Sequence, residues 1–101
     1  MLSDIITNIG TIEVSEDKYD LQVFPNPAST QTTILYNVPP TIKHATIEIL
    51  DLTGHRLRSE EVNAGEHSIS FDVSTFSNAM LFVNLIVEGK MVLSKKILVI
   101  H

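Results

Sequence analysis

Residues 81–100 read LFVNLIVEGKMVLSKKILVI. Leu81, Val83, Leu85 and Val87 alternate with Phe82, Asn84 and Ile86. A period of two puts successive side chains on opposite faces of a strand, whereas a helix would gather them along one stripe. Both faces of this run are apolar, which predicts a strand in the middle of a sheet. Glu88-Gly89 breaks the run as a tight turn. Met91 resumes it, and the stretch closes on the uninterrupted Ile97-Leu98-Val99-Ile100. Two such runs joined by so short a turn form an antiparallel hairpin.

The same period extends upstream. Leu21-Gln22-Val23-Phe24 is a short strand stopped by Pro25-Asn26-Pro27. Two prolines fix φ twice and remove two N–H donors, so the chain turns out of the ladder there. Residues 32–38 form a second strand, with Ile34, Tyr36 and Val38 on one face and Pro39-Pro40 at its end. Ala45, Ile47 and Ile49 alternate with Thr46 and Glu48 in a third. Asp51-Leu52-Thr53-Gly54 reads as a hairpin turn, because Asp accepts backbone bonds and Gly tolerates positive φ. The returning residues 56–62 are mostly charged, which predicts a solvated edge strand. Asn63-Ala64-Gly65 turns again, and His67, Ile69, Phe71 and Val73 then alternate with Ser68, Ser70 and Asp72.

The count is about seven short antiparallel strands in about 80 residues, the spacing of an all-β, immunoglobulin-like antiparallel β-sandwich. Composition agrees. Val, Ile and Thr total 30 residues and Ala only 4, a balance that favours a pleated surface over long helices. There is neither Cys nor Trp, so the Cys–Trp–Cys core of antibody-type domains is excluded.

The chain has 101 residues, enough for one domain at roughly 150 residues each. Its 44% hydrophobic and 19% charged content excludes disorder over the whole length. No apolar run is long enough for a membrane-spanning helix. The absence of cysteine excludes disulfides, a thiol nucleophile and a sulfur-ligated zinc.

Charge divides the chain. Asp4, Glu13, Glu16, Asp17 and Asp20 face only Lys18 in residues 1–20. That stretch is predicted to be a flexible acidic linker, with residues 21–101 as the folded domain. Met1 is followed by no basic region and no continuous apolar stretch, so it opens no secretory signal peptide. The final residues carry Lys90, Lys95 and Lys96 and no acidic side chain. With a formal net charge of -5 and no basic patch, the chain suits neither nucleic acid nor an anionic membrane.

No set of residues carries catalysis. His44, His55, His67 and His101 share no metal-binding spacing, and are read as solvated. Asp51-Leu52-Thr53-Gly54 differs by one residue from an aspartic-protease signature and has no second copy. Glu60 and Glu61 are adjacent on a strand and point to opposite faces. No nucleophile elbow or phosphate cradle is present. Catalytic, cofactor-binding and metal-ligating residues are accordingly assigned to none, and the chain is read as not an enzyme. Tyr19, Phe24, Tyr36, Phe71, Phe76 and Phe82 are read mainly as packing residues. Tyr36 and Phe82 are the two that would carry a sugar platform in an alternative reading, a fibronectin-like or carbohydrate-binding adhesion module. The final strand, by contrast, offers backbone groups that a partner can reach by strand addition.

Taken together, the acidic linker, Leu-Gln-Val-Phe-Pro-Asn-Pro-Ala-Ser at residues 21–29, Ile-Glu-Ile-Leu-Asp-Leu-Thr-Gly at 47–54, Gly65 and the closing Lys95-Lys96-Ile97-Leu98-Val99 resemble one family. It is the type A C-terminal sorting domain of the type IX secretion system, found on secreted cargo of Bacteroidetes. The resemblance covers residues 21–101. It implies an address label at the end of a larger exported protein, with an N-terminal passenger domain. It implies recognition by an outer-membrane translocon and its shuttle barrel, cleavage by a sortase-like peptidase within residues 1–20, and no cofactor. The route it implies runs through the periplasm to the cell surface or the medium. On this resemblance Lys95, Lys96, Ile97, Leu98, Val99 and Ile100 are the translocon-recognition residues, and Pro25, Asn26, Pro27, Asp51, Gly54, Gly65 and Gly89 the structural motif. An exposed last strand also allows a homodimer through that edge. One departure stands out: where the family has Gly-x-Tyr at the start of its penultimate strand, this chain has Ala79 and Leu81.

Overall fold

The structure is a computed structural model that describes residues 19–101. Seven strands follow in order: β1 (Asp20–Phe24), β2 (Gln31–Val38), β3 (Ala45–Leu50), β4 (Arg56–Val62), β5 (Gly65–Asp72), β6 (Ala79–Val87) and β7 (Lys90–Val99). They build two antiparallel sheets, β1-β2-β5 and β4-β3-β6-β7. The two sheets face each other as an immunoglobulin-like sandwich. The predicted linker, residues 1–20, lies outside the described residues except for Tyr19, which packs on the core, and Asp20, which opens β1.

Alternation builds the core. Ile34, Tyr36 and Val38 from β2 meet Ala45, Ile47 and Ile49 from β3 and Leu81, Val83, Leu85 and Val87 from β6, all buried. β7 adds Ile97 and Val99, each with no exposed surface. β6 lies between β3 and β7, which explains its two apolar faces. The Glu88-Gly89 turn has positive φ at both residues, 51° and 82°, the mirror-image hairpin turn that matches strand twist. Ala79 opens β6 without the positive φ that glycine would permit. Its departure from the family pattern therefore introduces no backbone strain.

A two-sheet sandwich has two open sides, and each is closed by a polar device. On one side β4 and β5 are the neighbouring edges. Arg58 is the cross-strand partner of the buried Ile49, so its side chain turns toward the gap between the sheets. It donates to Glu60 Oε1 at 2.7 and 3.1 Å and to the Ser70 carbonyl of β5 at 3.1 Å. β4 is an edge strand as its charge predicted, but its charges do more than meet solvent. The other side, between β1 and β7, is closed by residues 25–28.

The two outer faces differ. That of the three-stranded sheet carries Gln22, Thr33, Asn37, Ser68 and Ser70 around Leu35, with Phe24 exposed opposite Thr33. That of the four-stranded sheet carries Leu50 beside Phe82 and Met80 beside Leu98, with Lys96 paired to Phe82.

The packing separates the two faces of β7 energetically. Ile97→Ala should cost about 2–5 kcal/mol, the range for emptying a buried aliphatic site, and Leu98→Ala less than about 1 kcal/mol. Urea denaturation checks this; equal losses would place Ile97 outside the core.

Candidate functional site

The candidate site is the terminal strand together with the segment that covers its edge. Residues 25–28 leave β1 and run beside β7, where Ala28 forms a parallel bridge with Val99. Proline removes two donors from this segment, so it cannot pair as an ordinary strand. The Asn26 side chain substitutes for the missing peptide group. Its Nδ2 donates to the Lys96 carbonyl at 2.7 Å, and its Oδ1 accepts from the Leu98 N–H at 2.9 Å. The Ala28 N–H then donates to the Leu98 carbonyl at 2.8 Å, and its carbonyl accepts from the Ile100 N–H at 2.9 Å.

This clip is anchored from beneath. Ala28 is buried. Thr32, the one buried polar residue among those described, donates its hydroxyl to the Pro25 carbonyl at 3.1 Å. A buried hydroxyl without a partner would be costly, so the bond fixes the clip to β2.

Of the six predicted recognition residues, the structure brings Lys95, Lys96, Leu98 and Ile100 to the surface and sends Ile97 and Val99 into the core. The four do not share one face: Lys96 and Leu98 point outward, Lys95 lies opposite the buried Val83 on the side of Ile97 and Val99, and Ile100 follows the strand. The strand's edge over residues 96–100 is already paired. No ion pair reaches Lys90, Lys95 or Lys96 among the described residues.

A family model described as a secretion system C-terminal sorting domain matches residues 22–100. The chain belongs to this family. A search of curated proteins returned no match. The domain is therefore a C-terminal sorting signal of type IX secretion: a sorting tag, bound for the cell surface or the medium.

Within the sorting domain the remaining motif residues are structural. Asp51 Oδ1 accepts from the Thr53 N–H, the Thr53 hydroxyl and the His55 N–H at 2.9, 2.6 and 2.9 Å. Gly54 and Gly65 both have positive φ. The four histidines are exposed. Tyr36 lies in the core, which removes one of the two rings a sugar platform would use. Burial, and secondarily the nearby Glu60 carboxylate, raise its pKa above the ordinary tyrosine value.

The sequence reading took residues 25–27 as a turn out of the ladder and missed their return onto β7. The available signal was an asparagine between two prolines, a side-chain amide placed where backbone donors run out. It also missed that Arg58 and Glu60 face the inter-sheet gap.

Two carboxyls sit in side-chain-capped turns. The Thr53 hydroxyl first, then the His55 and Thr53 N–H groups, hold Asp51 below the usual carboxylate value against desolvation. The Ser74 hydroxyl and N–H do the same for Asp72. A depressed folded pKa binds protons less readily than the unfolded chain, which titrates near about 3.9. The stabilisation is therefore present above that value and lost as pH falls through the folded pKa. Melting temperature should fall on acidification below about pH 4, and an Asp51→Ala/Asp72→Ala variant should show a flatter acid limb. Thermal melts by circular dichroism at stepped pH test this; parallel curves would contradict it.

Proposed function

We propose that the exposed residues of β7 and the residue after it, Lys95, Lys96, Leu98 and Ile100, are the surface read by an outer-membrane translocon and its shuttle barrel. The cargo would be a passenger domain N-terminal to this one, arriving through the periplasm. A sortase-like peptidase would then cut within residues 1–20, a region that lies outside the described residues apart from Asp20 and Tyr19. The cut would release the tag from the passenger.

The observation that carries this reading is the division of labour on β7. Ile97 and Val99 hold the strand in the core, while two lysines and two large apolar residues project from it. A cationic, apolar strand on an otherwise acidic domain is a distinctive surface, and charge complementarity speeds selective encounter.

Deleting residues 95–101 is a poor test, because it also removes Ile97 and Val99 from the core. The informative variant is Lys95→Glu/Lys96→Glu, which alters exposed positions and should leave stability nearly unchanged. Residues 1–101 are fused to a periplasmic reporter in a host with a type IX system. The wild-type fusion should reach the medium or surface, and the charge-reversed fusion should drop about tenfold while its melting temperature holds. Undiminished export of the reversed fusion would overturn the assignment.

A further inference from the structure

The edge of β7 is divided. Residues 96–100 carry the clip, with four hydrogen bonds from Asn26 and Ala28. Residues 90–95 have β6 on one side and, among the described residues, no strand on the other. Open and covered lengths of one edge therefore lie end to end.

We propose that the covered length is a strand-acceptor site for an extended, acid-bearing segment of the recognition partner, which the clip occupies until exchange. This rests on the reading of β7 as the recognised handle.

The clip reproduces what an added strand would supply. An asparagine amide is chemically a peptide unit, with one carbonyl acceptor and an N–H donor. Asn26 presents both to Lys96 and Leu98, and Ala28 presents its own backbone pair to Leu98 and Ile100. The seat therefore has a direction, parallel to β7, and a size limit, set by the buried Ala28 side chain. The substitute is incomplete: Pro25 and Pro27 donate nothing, and the Asn26 bonds are solvent-exposed. An incoming strand can start on residues 90–95 and advance over 96–100, offering a backbone group at each place where the clip offers a side chain.

Charge selects the occupant. Lys90, Lys95 and Lys96 line this strand, no acidic side chain occurs in residues 89–101, and no ion pair reaches these lysines among the described residues. A segment bearing carboxylates is favoured. A second copy would set three further lysines against these, and like charges on paired strands destabilise.

The test uses the 101-residue chain and its Asn26→Ala variant. The probe is a synthetic peptide of about ten residues, a usual strand length, alternating glutamate with valine around one central alanine. A lysine-for-glutamate version is the control. Removing the amide should speed hydrogen exchange at the Leu98 N–H about tenfold while Leu85 in β6 stays within about twofold. The acidic peptide should bind Asn26→Ala about tenfold more tightly than wild type, and the lysine peptide should not bind. Adding Leu98→Pro, which removes an edge-facing N–H and no bond to β6, should abolish that binding. Unchanged Leu98 exchange, or peptide binding indifferent to Asn26 or to peptide charge, would overturn the proposal. Dimerisation of Asn26→Ala reversed by Leu98→Pro would make a second copy the occupant and overturn it too. None of these readouts involves export, so their failure would leave the export assignment standing.

Discussion

One strand has to serve two surfaces. β7 gives Ile97 and Val99 to the core and turns Lys96 and Leu98 outward. The chain has no cysteine to staple a weakened fold, and a domain of this size buries only about two thirds of its surface. The core therefore cannot dispense with this strand, which the proposed function also puts to use. A pleat resolves the conflict, because alternate residues face opposite ways and each face can answer to a different demand.

The same economy closes the sandwich. Its two open sides are shut by side chains that satisfy backbone groups of another element: Arg58 on the Ser70 carbonyl, and Asn26 on Lys96 and Leu98. An unprotected edge is a template for uncontrolled pairing. Here protection is given to residues 96–100 by a short segment, and residues 90–95 are left without a neighbouring strand among the described residues. The asymmetry of the outer faces points the same way. The three-stranded sheet carries hydroxyls and amides with Leu35 and Phe24 among them, while Leu50, Phe82, Met80 and Leu98 form an apolar row beside Lys96.

Local pattern made most of the fold legible. The period of two in residues 81–87, the turn chemistry of Asp51 and Gly54, and the charge of residues 56–62 each act within a few residues, so strand order along the chain could be read. What lay beyond reading was set by contacts distant in sequence. Asn26 meets Lys96 and Leu98 only because β1 and β7 lie on the same side of the sandwich, and nothing within residues 25–28 reports that. Arg58 looked like a solvated charge because its carbonyl partner belongs to the other sheet. The candidate recognition residues were grouped by the Lys-Lys-apolar ending alone. Their division into buried and exposed members required the register of β7 against β6, where a bulge near Leu85 and Ile86 sits upstream.

The central claim is that the β7 side of the molecule, and not the three-stranded sheet opposite, meets the export machinery. Site-specific photocrosslinking in cells tests it most directly, with a photoreactive phenylalanine analogue placed at Leu98 or at Ser68. The account predicts adducts with an outer-membrane export component from position 98 and none from position 68. Adducts from position 68 alone would contradict it.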